Sequence, residues 1–306
     1  MEDVYDVLVA GGGPAGYTAA MYAARAGLRV VLLERALAGG QMTLTDQIEN
    51  YPGFPSGIDG FSLGEQMRLG ASGAGAECVM AEILDMRLSD PVKSVRTAKQ
   101  EYRARTVILA MGAYARRLGV EGEERLIGRG VSYCAHCDGR FFKGKRVAVI
   151  GGGESAVAEA VFLSRLASHV FLIHRRDTLR AGAASRAALS ASSNVSVLWN
   201  STPAALHGEE RLSGITVSDI RNNTTQELAV DGMFVSIGRV PETALVQGQI
   251  DLDEGGYILA GEDCHTSCAG VFAAGDIRRK PLRQIVTAVS DGAVAAAAAE
   301  QFLSHV

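Results

Sequence analysis

Residues 5–34 read YDVLVAGGGPAGYTAAMYAARAGLRVVLLE, and residues 146–176 follow the same plan, RVAVIGGGESAVAEAVFLSRLASHVFLIHRR. Each stretch opens with an apolar strand, Asp6–Ala10 in one and Arg146–Ile150 in the other. Each then crosses three glycines and runs through a helix-compatible segment into a second apolar strand. Such strand–helix–strand units build parallel sheets, so two of them predict an α/β chain with two Rossmann-like, three-layer nucleotide-binding domains.

In this unit the first glycine makes the tight turn, the second lets the backbone approach a pyrophosphate, and the third allows close packing of helix on strand. The helix N-terminus then faces the phosphate charge. Here these positions are Gly11, Gly13 and Gly16, with Pro14 and Ala15 opening the helix, and Gly151, Gly153 and Ala156, with Glu154 and Ser155 between them. A lone glycine-rich turn is a weak signal. Its context strengthens it, because the second strand ends 18 residues on in both cases, from Gly16 to Glu34 and from Ala156 to His174. The two endings differ in charge. Glu34 suits two ribose hydroxyls and repels a 2′-phosphate, whereas His174, Arg175 and Arg176 suit that phosphate. The first unit is therefore assigned to the ADP part of FAD and the second to NADPH.

The length of 306 residues is about two domains' worth. With 47% hydrophobic and 21% charged residues and a net charge of −4, the chain offers no basic footprint for nucleic acid and no polybasic segment for a membrane surface. Its longest apolar run, Ala293–Ala299, is far shorter than the roughly 20 residues of a membrane-spanning helix. No signal-peptide pattern opens the sequence, so a cytoplasmic location is expected. There a close cysteine pair, such as Cys134 and Cys137 in VSYCAHCDGRFF, is more often catalytic or metal-binding than structural. Near the other end, GVFAAGDIRRKPLRQIVTA reads as a strand at Val271–Ala274, a turn at Gly275 and Asp276, and a helix from near Arg283. Asp276 reads either as a turn or cap residue or as a ligand of flavin ribityl hydroxyls.

Taken together, GGGPAG, GGQMTLTDQIENYPGFPSGIDG at 39–60, CAHCDG, GGGESA, HRRDTLRA and GVFAAGD followed by LRQIVTA resemble the low-molecular-weight, FAD-dependent bacterial thioredoxin reductases over nearly the whole chain. The resemblance implies a discontinuous FAD domain, residues 1–113 and 241–306, with an NADPH domain, 114–240, inserted into it and carrying the cysteine pair. It also implies a homodimer and a rotation between domains, with Gly112 and Gly238 near the hinges. It makes Cys137 the thiol beside the flavin, Cys134 the thiol that attacks thioredoxin, and Asp138 the acid that protonates a departing thiolate. Gly40, Gln41, Asn50, Arg283 and Gln284 would line the flavin. His174, Arg175, Arg176 and Arg180 would bind the 2′-phosphate end of NADPH, and Arg129, Phe141 and Phe142 would touch the protein substrate.

Some residues depart from that pattern. His136 stands where the family usually has a small or β-branched residue; it reads as a solvent-facing change or as an imidazolium that tunes the thiols. Met111 replaces a threonine and Leu179 an aromatic. Cys264 and Cys268 read as ordinary thiols or a secondary disulfide, with a four-sulfur zinc site the remaining possibility; no metal is expected. Cys78 and Trp199 read as core. The alternatives to a thioredoxin reductase are a flavin-dependent dithiol oxidase, against which the arginines argue, a reductase of another thioredoxin-like protein, and a nucleotide-binding or zinc-stabilised scaffold without activity.

Overall fold

The computed structural model describes residues 4–45 and 47–305; Asp46, within the quoted stretch 39–60, lies outside them. In chain order the strands are β1 (Val4–Ala10), β2 (Val30–Glu34), β3 (Glu77–Met80), β4 (Ile83–Arg87), β5 (Lys93–Thr97), β6 (Glu101–Leu109), β7 (Ala113–Ala115), β8 (Val131–Ser132), β9 (Arg146–Ile150), β10 (His169–Ile173), β11 (Val195–Leu198), β12 (Ser201–His207), β13 (Gly214–Asp219), β14 (Thr224–Leu228), β15 (Gly232–Val235), β16 (Arg239–Pro241) and β17 (Val271–Ala273). The helices are α1 (Pro14–Arg25), α2 (Gly60–Gly73), α3 (Glu123–Leu126), α4 (Ala135–Asp138), α5 (Glu154–Ser164), α6 (Ala183–Ser190) and α7 (Ile285–Ser304). The chain forms two compact units, one running to Tyr114 and resuming at Val240, the other spanning Ala115–Arg239.

In the first unit, β3, β2, β1, β6 and β17 pair in parallel. The nine-residue β6 is long enough to share one edge, pairing β17 through Val107–Leu109 and the antiparallel β5 through Glu101–Ala104, with β4 beyond. Strands β1 and β2 are apolar almost throughout because both faces of the sheet are covered. Helices α1 and α7 present buried alanines, Ala15, Ala19, Ala20 and Ala23 on one and Ala295, Ala296, Ala298 and Ala299 on the other. The small side chains allow close approach, so the alanine run belongs to a helix of the packed core. No described helix is long and apolar enough to cross a membrane.

The second unit repeats the plan with a parallel sheet in the order β11-β10-β9-β15-β8 and adds an antiparallel sheet β12-β13-β14. The α/β class expected from the sequence is what the structure has. Boundaries moved by a few residues: β1 starts at Val4, the last strand stops at Ala273, and α7 starts at Ile285 because Gln284 is its cap. Trp199, read as core, is 39% exposed, since β11 ends at Leu198 and the chain turns through Asn200 in the left-handed region.

Candidate active site

The carboxyl ends of the parallel strands in the first unit open onto a cleft of about 420 Å³. Gly11, Gly13, Pro14, Ala15, Glu34, Gly40, Gln41, Gly275, Asp276 and Gln284 all line it. Helix α1 points its N-terminus there, with Gly13 as cap and no side chain on its first amides. Those amides lack intrahelical acceptors and favour a phosphate. A side chain on Gly13 would meet no atom within 4 Å, so the space above the turn is open. Glu34 holds its position by accepting from the Gly12 amide at 2.6 Å and the Ala36 amide at 2.9 Å. This glycine cradle, uncapped helix and fixed carboxylate fit the ADP part of FAD.

The remaining residues expected around a flavin, Gly16, Asn50 and Arg283, do not line the cleft. Gly16 packs under the turn, where an added side chain would come within 1.8 Å of the Gly11 carbonyl oxygen. Asn50 donates to Gln284 Oε1 at 3.0 Å, and Gln284 in turn caps α7 through a reciprocal pair with Thr287. Arg283 lies 4.2 Å from the Tyr257 ring centre with its Nε buried and unpartnered. Met42, Thr43, Ala81, Met111, Arg35 and Glu242 also line the cleft, the last two as an ion pair at 3.3 Å. The contribution of Met42, Thr43 and Ala81 carried no sequence signal, because short apolar and hydroxyl residues are equally at home in a core.

In the second unit Cys134 and Cys137 form a disulfide with Cα atoms 5.3 Å apart. Cys134 caps the single turn α4, and its sulfur accepts from the Cys137 amide at 3.2 Å. An amide donor of this kind stabilises a thiolate at Cys134 once the bond is reduced. Ser132, buried at the end of β8, donates to Asp138 Oδ2 at 2.6 Å and accepts from the Cys134 amide at 3.1 Å. It thus ties the acid to the cysteine backbone. Nothing in the sequence marked it, because a serine just before a cysteine pair carries no signal of its own. His136 is exposed, edge-on to Phe162 with ring centres 4.4 Å apart, in keeping with the solvent-facing reading. Arg129 and Phe141 are exposed too. Phe142 corrects the expectation of partner contact: it is buried, edge-on to Phe234 at 5.3 Å and against Gly232, so it cannot present its ring to a protein substrate.

The second glycine turn opens α5 at Gly153, again without a side-chain cap. Gly151 needs its positive φ of 146° and lies so close to β15 that an added side chain would come within 2.3 Å of the Ser236 carbonyl oxygen. Ala156 is buried beneath it. Ser155, Arg175, Arg176 and Arg180 are exposed, and among the described residues none of the three guanidinium groups sits in an ion pair. These groups fit a dinucleotide phosphate. Glu154 is occupied otherwise: it accepts from the Gly182 amide at 2.8 Å and from Ser185, steadying the start of α6, and these bonds hold its carboxyl below the usual range. His174, expected at the phosphate, is buried.

The middle glycines, Gly12 and Gly152, were unassigned positions of the fingerprint. A side chain on Gly12 would come within 2.9 Å of the Glu34 side chain, and one on Gly152 within 2.2 Å of the His174 ring. In the first unit the residue ending β2, and in the second the residue just after β10, rests on that glycine. Cys78, Cys264 and Cys268 are free thiols, which removes the secondary disulfide. Cys264 is fully buried, but Cys78 is only half-buried on the edge strand β3, against its reading as core. Among the described residues no three His, Cys, Asp or Glu side chains gather as a metal site.

A family model described as pyridine nucleotide-disulphide oxidoreductase matches residues 5–292. The chain is 45% identical over 303 residues to a thioredoxin reductase of Treponema pallidum (strain Nichols), covering 99% of this chain and 98% of that one. It is 44% identical over 305 residues to a thioredoxin reductase of Bacillus subtilis (strain 168), covering 99% and 96%. The crystal structure of thioredoxin reductase from Streptococcus pyogenes MGAS5005 matches with a TM-score of 0.93 at 39% identity over 100% of both chains. The resemblance drawn from the motifs is borne out.

Proposed function

The chain belongs to the pyridine nucleotide-disulphide oxidoreductase family, and from that premise we propose how its residues share the work of reducing thioredoxin. It is a flavoprotein oxidoreductase in which FAD, when bound, carries two electrons from NADPH to the Cys134–Cys137 disulfide, whose dithiol then reduces the disulfide of thioredoxin. FAD is assigned to the first unit and NADPH to the second; the glycine cradle with Glu34 and the exposed arginines support that division.

The observation that carries the residue roles is the turn holding the disulfide, where both sulfurs and Asp138 lie within five residues. In the dithiol state, the Cys134 thiolate attacks one sulfur of the thioredoxin disulfide. A mixed disulfide forms and a thioredoxin thiolate departs, taking its proton from Asp138. Cys137 then attacks the Cys134 sulfur, restoring the intramolecular disulfide and releasing the second thioredoxin thiolate, which takes up the remaining proton. Each cycle moves two electrons and two protons onto thioredoxin. Ser132 keeps Asp138 in reach through its hydroxyl. Arg129 and Phe141 are the exposed side chains assigned to the partner surface.

Three free thiols support a cytoplasmic location, where they stay reduced. A homodimer, which the resemblance implies, is proposed with it. The experiment is anaerobic mixing of purified yellow protein with two equivalents of NADPH or NADH, one for the flavin and one for the disulfide, followed by alkylation. NADPH is expected to bleach the flavin band and expose two thiols, mapped to Cys134 and Cys137, with NADH far slower. A band that NADPH leaves untouched would rule out the donor; bleaching without those thiols would rule out the relay.

A further inference from the structure

We propose that His174 is a positioning residue for the 2′-phosphate of NADPH and not one of its ligands: its ring, seated on Gly152, closes the loop that presents Arg175, Arg176 and Arg180. The proposal rests on the reading of the second unit as the NADPH site.

The ring is out of reach of an incoming anion. His174 is 4% exposed, while the three arginines that share its loop are exposed. Its Nε2 lies 3.0 Å from the Thr178 carbonyl oxygen. A carbonyl only accepts, so Nε2 carries a proton and that edge is occupied. The Nδ1 side of the ring, with Cε1 and Cγ, lies over Gly152 so closely that an added side chain there would come within 2.2 Å. Trp199 stands edge-on, ring centres 6.4 Å apart. A phosphate could touch the imidazole only after the loop had opened.

What the ring does instead is complete a set of ties. The backbone of His174 is held on both sides, its amide donating to the Leu198 carbonyl and its carbonyl accepting from the Ser201 amide, each at 2.9 Å. Further along, the Asn200 amide donates to the Arg176 carbonyl at 3.1 Å, and the Arg180 amide donates to the Gly152 carbonyl at 2.8 Å. Within the segment 177–179 between those anchors, the imidazole ties the Thr178 carbonyl to the strand end, while Leu179 packs against the core of the unit. Asp177 faces outward to Arg221. The charged groups facing the ring are Arg180, Arg176 and Arg175. Burial first, and then these cations, hold the imidazolium below its ordinary range against the pull of the Thr178 carbonyl. A neutral ring offers a phosphate no charge; three loop arginines held in place do.

The test is calorimetric binding of 2′,5′-ADP and 5′-AMP to the flavin-loaded protein, in wild type, H174F, H174Q and G152A. H174F keeps a planar ring without the donor. It is expected to weaken 2′,5′-ADP roughly five- to tenfold, the worth of one hydrogen bond, and to leave 5′-AMP within about twofold. H174Q, with an amide donor near the Nε2 position, is expected to recover most of the loss, and G152A, which pushes the ring away, to reproduce it. In turnover, KM for NADPH rises by the same factor while KM for NADH and kcat stay put. Unchanged 2′,5′-ADP binding in H174F and G152A would overturn the proposal alone. So would a wild-type to H174F ratio that grows as pH falls from 8 to 6, the mark of an imidazolium ligand. Wild-type protein that binds both ligands alike would overturn it together with the NADPH reading.

Discussion

The substitution D291N tests whether a buried charge cluster holds the floor of the flavin cleft. Asp291, on α7, accepts from Arg278 Nε and Nη2 at 2.8 Å each, from Lys280 Nζ at 2.7 Å and from the Gly275 amide at 2.9 Å. All three charged side chains are at most 7% exposed. Nearby Cys264 brings no second negative charge, because burial pushes its thiol up to about 12. The carboxylate is therefore the counter-charge of two buried cations. Asparagine matches its shape but turns an acceptor into an amide N–H2 that faces a donor. Leaving buried charge uncompensated costs about 3–5 kcal/mol. At about 2–4 °C per kcal/mol for a body of this size, the unfolding midpoint is expected to fall by roughly 6–20 °C. K280M, which leaves Arg278 and Asp291 as a neutral pair, is expected to cost much less. Burial alone would raise the Asp291 carboxyl, but the hydrogen bonds from Arg278 and Lys280 outweigh it and hold it below the ordinary range. A carboxyl lowered in the folded state stabilises fully above its unfolded value, about 3.9, and loses that stability as pH falls through the folded one. The gap between D291N and wild type is thus expected to narrow only in strong acid. Because the Gly275 amide belongs to the cleft wall, FAD release is expected to quicken as well. Thermal melts of both variants between pH 3 and 8, with free flavin followed by fluorescence, provide the assay. A D291N midpoint within about 2 °C of wild type, below the range above, or K280M as costly as D291N, would refute the reasoning.

S132A removes the hydroxyl that holds Asp138 and is expected to lower kcat for thioredoxin reduction by roughly ten- to a hundredfold, the range for a hydrogen bond to a charged group. Steady-state kinetics checks it, with KM for NADPH unchanged. Iodoacetamide on the native protein at pH 8 is expected to spare Cys264 while Cys78 and Cys268 react, since burial keeps Cys264 protonated; peptide mapping reads this directly. In the second unit, burial raises the Glu159 carboxyl to about 7, with Ser236 and Arg239 opposing. The folded state then keeps a proton that the unfolded chain has released, so stability falls as pH rises between about 4.3 and 7. E159Q is expected to melt higher than wild type at pH 8 and to show no such gain at pH 4.5.

The parts of this design that are local in sequence were readable before the structure. Strand, glycine turn and helix follow one another within the first fingerprint, and the residue 18 positions on from Gly16 is Glu34, at the strand end. What escaped depends on contacts between distant residues. Gly12 and Gly152 look like spacers until Glu34 and His174 are seen resting on them. Phe141 and Phe142 are adjacent and chemically identical, and only the packing of Phe234 and Gly232 decides which one is buried. Arg278 and Lys280 sit in a run that reads as solvated surface, and Asp291 is one polar residue on an alanine-rich helix; folding brings them together out of water. His174 misled for the opposite reason, because its neighbours Arg175 and Arg176 made a charged cluster plausible while its own side chain turned inward.

The most direct measurement is anaerobic turnover with oxidised thioredoxin, counting thiols formed per NADPH consumed in wild type, C134S and C137S. The account predicts two new thioredoxin thiols per NADPH in wild type and no turnover in either variant, with C137S alone trapping thioredoxin as a mixed disulfide through Cys134 and freeing a single thioredoxin thiol per enzyme. Sustained thiol formation by either variant would contradict a relay through the Cys134–Cys137 pair.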